Sequence, residues 1–127
     1  MQRTVNISPP GSGPFLCVAT YLPVTHWRNL PEFLRLSAGI QEQLRKTPGV
    51  VRFSVRAKIL RKQFWTCSVW NAPGAELNVA DFVSAGQHAR ALDALPRWHN
   101  RGKKFVRWSS ASAEIDWPEA LKRLAET

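Results

Sequence analysis

The sequence predicts a single α+β domain whose elements follow the order β-α-β-β-α-β, with a further helix at the C-terminal end. Two apolar runs (15–22 and 64–70) and an alternating apolar and polar stretch (51–59) predict strands, and two segments repeat apolar residues at helical spacing. With 127 residues, the chain is long enough for one core and short for two ordinary domains.

The first half of the chain contains a lead-in, a strand and a helix. Residues 1–14 hold three prolines and two glycines, so we expect them to be irregular and the domain to span residues 15–127. The run 15–22 predicts a central strand. Asn29 and Glu32 then stand where a capping box begins a helix. Its apolar stripe is Phe33, Leu36, Ile40 and Leu44.

The second half continues the pattern. The stretch 51–59 predicts a strand with one apolar and one polar face, which a short connection joins to the strand at 64–70. Asn78 is the predicted cap of a second helix, which Pro96 ends. A fourth strand follows at 104–109, and Asp116 begins the terminal helix. The second helix has the apolar stripe Val79, Phe82, Val83, Ala89 and Leu92.

This order of elements is ferredoxin-like and predicts an antiparallel four-stranded sheet. Two helices cover only one face of such a sheet. Because the run 15–22 is nearly continuously apolar and the run 64–70 is rich in aromatic and β-branched residues, both faces of these strands are expected to be buried. The simplest arrangement that buries the second face is a homodimer that closes sheet against sheet.

Charge and composition limit the partners. The chain carries 18 Lys and Arg against 9 Asp and Glu, which suggests nucleic acid, an acidic lipid surface or an anionic small molecule. No apolar run can span a bilayer and the N-terminus lacks a signal-peptide layout, so we expect a cytoplasmic protein without a membrane partner. Cys17 and Cys67 are expected to be buried thiols and not zinc ligands.

Two segments carry a resemblance to a known group of proteins. They are RKTPGVV at 45–51 and TCSVW at 66–70, the latter followed by Phe82 and by SAGQH at 84–88. Over residues 15–112 the chain resembles the antibiotic-biosynthesis-monooxygenase-like group of the dimeric α+β barrel superfamily, in particular spheroidene-monooxygenase-like proteins and their uncharacterised relatives. The resemblance implies a dimer of ferredoxin-like protomers, each with a pocket between sheet and helices.

The same resemblance implies that Ser68 and Trp70 line this pocket and that His88 faces it. Two departures from the group stand out. The group commonly has a carboxylate at the position of Ser68. In its haem-degrading members the axial histidine lies further along the second helix, near Ala91 or Leu92 here, which argues against haem degradation.

The residues themselves suggest roles in such a pocket. His88 is the candidate general acid or base, with a surface or structural histidine as the alternative. Arg56 and Arg107 are candidates to stabilise a developing negative charge, with solvated strand faces as the alternative. Trp70 would orient a flat substrate or else belong to the core. The remaining predicted substrate-binding residues are Ser68, Thr66, Tyr21, His26 and Trp27.

These observations predict a small-molecule enzyme of secondary metabolism. It would be a cofactor-independent, monooxygenase-like oxidoreductase that acts on an aromatic or polyunsaturated substrate. An isomerase or cyclase in the same pocket is one alternative. A non-catalytic dimer that binds a ligand or haem, with His88 or His26 as axial ligand, is another. A nucleic-acid-binding module, suggested by the basic and aromatic stretch 97–108, ranks last. No metal site is expected.

Overall fold

A computed structural model of the chain describes residues 1–71, 74–83 and 102–127. Its strands are β1 (Gln2–Asn6), β2 (Phe15–Pro23), β3 (Val50–Lys58), β4 (Gln63–Asn71) and β5 (Lys104–Ser110). Its helices in these ranges are α1 (Leu30–Arg45), α2 (Ala75–Val83) and α3 (Trp117–Ala125). Short 3₁₀ turns occupy Trp27–Asn29 and Ile59–Arg61.

The strands form one antiparallel sheet in the order β1-β3-β4-β2-β5, which confirms the predicted α+β, ferredoxin-like fold. The sheet has five strands and not four, because β1 pairs with β3. The expectation that residues 1–14 are irregular is therefore wrong for Gln2–Asn6. An edge strand needs a hydrogen-bonding partner on one side only, so a short, mostly polar segment suffices.

One face of the sheet, here called the helix-side face, is covered by α1 and α2. The rings of Phe33 on α1 and Phe64 on β4 lie 4.4 Å apart between centroids. Trp70 packs against Phe82 of α2, with ring centroids 5.9 Å apart. These contacts belong to two apolar clusters that join the helices to the sheet. The predicted helical stripe is thus the buried side of α1.

Helix starts differ in detail from the sequence prediction. Asn29 has helical backbone angles and its side chain makes no cap hydrogen bond. α2 begins at Ala75, so Asn78 lies inside its first turn, where its backbone N–H donates to the Gly74 carbonyl at 3.0 Å. Ala89, Leu92 and Pro96 lie outside the described residues. None of the described helices is long and apolar enough to cross a bilayer.

The other face of the sheet, here called the α3 face, is covered by the C-terminal helix of the same chain. Trp117, Ala120 and Leu124 pack against Ala19 of β2 and Cys67 of β4. As predicted, Asp116 caps this helix, with Oδ1 accepting from the Glu119 N–H at 3.0 Å. The apolar pattern of β2 and β4 therefore does not require a second subunit to bury this face, and the homodimer stays a prediction.

A buried serine joins three parts of the fold. Ser54 on β3 is 0% exposed, and its Oγ donates to the Arg3 carbonyl at 3.0 Å. The same oxygen accepts from Thr4 Oγ1 on β1 and from Trp117 Nε1 on α3, both at 3.0 Å. One donor and two acceptor positions complete the bonding capacity of a hydroxyl, so this group is satisfied in the interior.

We predict that Ser54→Ala lowers the free energy of unfolding by about 1–3 kcal/mol, because the buried Trp117 indole loses its acceptor. The loss is expected to be smaller in a Trp117→Phe background, where no donor is left to satisfy. Urea unfolding of the parent chain, the two single variants and the double variant measures this coupling. Ser109→Ala, on the exposed side of β5, is the control. Equal losses in both backgrounds would contradict this account.

The two cysteines lie on the α3 face and are free and buried, as predicted. Burial raises the pKa of the Cys17 thiol from 9.0 to about 11. Burial, followed by the nearby Cys17, raises the pKa of Cys67 to about 12. Both groups are therefore neutral thiols at physiological pH and are poor nucleophiles.

We predict that stability falls as the pH rises above 9.0, the pKa of an unperturbed thiol. The unfolded thiols release protons there, whereas the folded ones hold theirs up to about pH 11 and 12, so this contribution is lost across that window. Each thiol contributes at most about 1.4 kcal/mol per pH unit. Urea midpoints measured up to about pH 10 should fall less steeply for Cys17→Ala/Cys67→Ala. An unchanged slope would refute the assignment.

Candidate functional site

The helix-side face carries a polar strip where α1 and α2 do not complete the core. It is formed by Thr20, Thr66, Ser68 and Arg107, together with the apolar Val18 and Phe105, and is here called the polar trough. Thr20 pairs with Thr66 on one side and Phe105 on the other, while Val18 pairs with Ser68 and Arg107. Directly paired residues of antiparallel strands share a face, so these side chains lie together. All six side chains are partly or fully accessible.

Hydroxyl groups in the polar trough are held in defined positions. Thr20 Oγ1 and Thr66 Oγ1 are 2.5 Å apart, and either hydroxyl can donate to the other. Ser68 Oγ accepts from Trp70 Nε1 at 2.8 Å, whereas among the described residues its own proton has only the Val18 carbonyl at 3.5 Å. At that distance the hydrogen bond is weak. The Ser68 hydroxyl is therefore able to donate to an oxygen atom of a bound molecule.

Trp70 is buried beneath the polar trough and donates a hydrogen bond to Ser68. The indole is 1% exposed and lies in the core with Phe82, so neither ring face is open to a ligand. This agrees with the alternative prediction that Trp70 belongs to the core. The structure gives no support to the prediction that Trp70 stacks on a flat substrate. What the indole does supply is a fixed donor that orients Ser68.

Two predicted site residues lie on the opposite side of the sheet. The Arg56 guanidinium stands 5.9 Å from the centroid of the Trp65 ring, and the Tyr21 ring lies 5.3 Å from the same ring. Trp65 belongs to the α3 face. The prediction that Arg56 and Tyr21 share one pocket with Ser68 is therefore wrong. Arg56 pairs with Trp65 across β3 and β4, and Tyr21 pairs with Trp65 across β2 and β4, so both share the face of Trp65 and not that of Ser68.

The histidines predicted to face or rim the pocket are divided between two regions. His26 and Trp27 are exposed at the end of the sheet, and Lys62 Nζ lies 4.9 Å from the centroid of the Trp27 ring. His88 lies outside the described residues, as does the basic and aromatic stretch up to Arg101. Among the described side chains, the polar trough thus unites Thr66, Ser68 and Arg107.

A separate cavity of about 310 Å³ lies on the α3 face and was not predicted. Its floor includes both thiols, and its carboxylates already have partners. Glu114 pairs with Arg52 at 3.3 Å, and Glu119 pairs with Arg123 at 2.7 Å. The described residues contain no group of three or more side chains suited to hold a metal ion. The polar trough, with an oriented hydroxyl and a guanidinium on the same face of the sheet, is therefore the candidate site.

No protein-family profile and no curated protein matches this chain. Solved structures do. SnoaB, a cofactor-independent oxygenase from Streptomyces nogalater, superposes with a TM-score of 0.59 at 14% identity, covering 84% of this chain and 99% of that one. A protein from Nitrosomonas europaea, described as a proposed antibiotic biosynthesis monooxygenase, gives 0.63 at 16% identity, covering 77% of this chain and 91% of that one.

A longer protein from Fusobacterium nucleatum, described as a proposed monooxygenase, gives a TM-score of 0.66 at 15% identity. The match covers 90% of this chain and 52% of that one, so this chain spans about half of its length. At such low identities the likeness concerns the fold. The chain has the ferredoxin-like α+β fold of the antibiotic-biosynthesis-monooxygenase-like proteins, as its sequence resemblance predicted.

Proposed function

We propose that this chain is a monooxygenase that oxidises an aromatic or polyunsaturated substrate in the polar trough without a bound cofactor. The observation that carries the proposal is the Ser68 hydroxyl, which Trp70 orients and which shares its face with Arg107. The fold is also that of a cofactor-independent oxygenase. Secondary metabolism, where activated polycyclic phenols arise, is the setting that we propose.

Oxygenation without a cofactor requires two things of the protein: a base that deprotonates the substrate, and groups that stabilise the resulting negative charge. His88 would remove a proton from the substrate, which leaves an electron-rich anion. The substrate then supplies the electrons that reduce dioxygen. For an activated methylene the balance is CH₂ plus O₂ giving C=O plus H₂O, so no external reductant enters.

The polar trough fits the second requirement. Charge that develops on a substrate oxygen would accept a hydrogen bond from Ser68 and would be stabilised by the guanidinium of Arg107. Both groups are positioned by strands, which hold them more rigidly than loops would. The net charge of +9 further favours an anionic form of the substrate.

We predict dioxygen uptake when the purified protein meets an activated phenol, without added metal, flavin or haem. Ser68→Ala and Arg107→Gln should each lower kcat by about 10²-fold, because a charge-stabilising donor is lost. His88→Ala should lower it by about 10²–10⁴-fold. Ser112→Ala and Lys122→Gln, both exposed and away from the polar trough, are the matched controls.

Three results would speak against a cofactor-independent oxygenase. Turnover that continues at the same rate under anaerobic conditions would indicate an isomerase or cyclase. A Soret band that disappears in His88→Ala or His26→Ala would indicate a haem protein. Variants of Ser68 and Arg107 as active as the controls would remove the polar trough from the reaction.

A further inference from the structure

One end of the sheet carries an exposed apolar and basic surface that the proposed reaction does not use. It is formed by the turn between β3 and β4 and the segment that follows β2. This surface, here called the basic tip, comprises Trp27, Lys58, Ile59, Leu60, Arg61 and Lys62.

Backbone hydrogen bonds hold the basic tip in one shape. The 3₁₀ turn Ile59–Arg61 closes through the Lys62 N–H, which donates to the Ile59 carbonyl at 2.9 Å. Lys62 itself has a positive φ of 55°, which reverses the chain into β4. The Lys62 carbonyl accepts from the Val24 N–H at 2.8 Å, and this bond joins the two segments.

The apolar side chains of the basic tip face outward. Leu60 is 88% exposed, Trp27 is 50% exposed, and Ile59 is exposed as well. An open groove of about 390 Å³ runs beside the turn, lined in part by Ala57, Ile59 and Leu60. Three exposed apolar side chains grouped beside a groove at one end of the sheet mark a candidate binding surface.

The charges around these apolar side chains have one sign. Lys58, Arg61 and Lys62 lie within the tip itself, and Arg28 follows Trp27 directly. Residues 1–31 and 43–75 contain no aspartate or glutamate, and Glu32, in the first turn of α1, is the acidic residue nearest to Trp27 along the chain. The complementary surface must therefore be anionic and must also accept apolar groups.

We propose that the basic tip docks on an anionic lipid bilayer. Leu60, Ile59 and Trp27 would enter the headgroup region, while the surrounding cations pair with lipid phosphates and carboxylates. Tryptophan favours this interface because its ring is apolar and its N–H is polar. We expected no membrane partner because the sequence has no apolar run that could span a bilayer. Peripheral docking does not require a spanning segment.

Other anionic partners fit the basic tip less well. A single-stranded nucleic acid would stack bases on an aromatic face, but Lys62 stands over the Trp27 ring, and Leu60 would have no partner. A protein interface needs a wider apolar centre than three side chains provide. A bilayer accepts a small apolar tip, and it attracts all the surrounding cations at once.

The test is sedimentation of the full chain with phosphatidylcholine vesicles, prepared with and without phosphatidylserine. We expect binding to the anionic vesicles only, weakened by salt. Leu60→Ser should lower the affinity by about tenfold. Arg61→Gln should lower it by about fivefold. The matched controls are Leu34→Ser, an exposed leucine on α1, and Lys122→Gln on α3, which should bind like the parent chain.

A second readout tests insertion directly. Lipids with brominated acyl chains should quench tryptophan fluorescence in the parent chain, and Trp27→Phe should abolish the quenching. Equal binding to neutral vesicles, a Leu60→Ser variant that binds like Leu34→Ser, or retained quenching in Trp27→Phe would overturn the proposal. So would single-stranded RNA binding without vesicle binding, or a Leu60→Ser variant that changes only the oligomeric state.

Discussion

The fold depends on covering both faces of a sheet whose central strands bury apolar side chains on both sides. α1 and α2 cover one face, and the C-terminal helix α3 covers the other. The bond from Trp117 to Ser54 fixes α3 in place, and the same hydroxyl holds β1 at the edge. One saturated polar group in the interior thus links the last helix and the first strand, whose positions also depend on apolar packing and on the β1–β3 ladder.

Much of this arrangement could be predicted from local patterns. The apolar runs identify β2 and β4, the period of two identifies β3, and the helical spacing of apolar residues identifies α1, because these patterns reflect burial on one or both sides. β1 was missed because an edge strand shows little apolar pattern. The docking site of α3 was missed for a different reason. It rests on a contact between residues 54 and 117, which no local signal encodes.

For the candidate site too, features that depend on local sequence could be predicted, and features that depend on long-range contacts could not. Alternation along β4 was enough to group Thr66, Ser68 and Trp70 on one face, and the structure agrees. Arg56 and Tyr21 were misplaced because the face of one strand relative to another depends on register, which is set by pairing across the sheet. The burial of Trp70 depends on α2 packing over it.

Alternation along β4 also has an evolutionary consequence. Ser68 faces the candidate site, while its neighbours Cys67 and Val69 face the core beneath α3 and the adjoining segment. Under the proposed function, adjacent codons would therefore be under different kinds of selection, one for chemistry and the other for stability. Under the proposed function, substitutions at the accessible trough positions would alter the preferred molecule, while the buried residues of both faces keep the domain folded. A sheet covered independently on its two sides allows specificity to diverge without dismantling its scaffold.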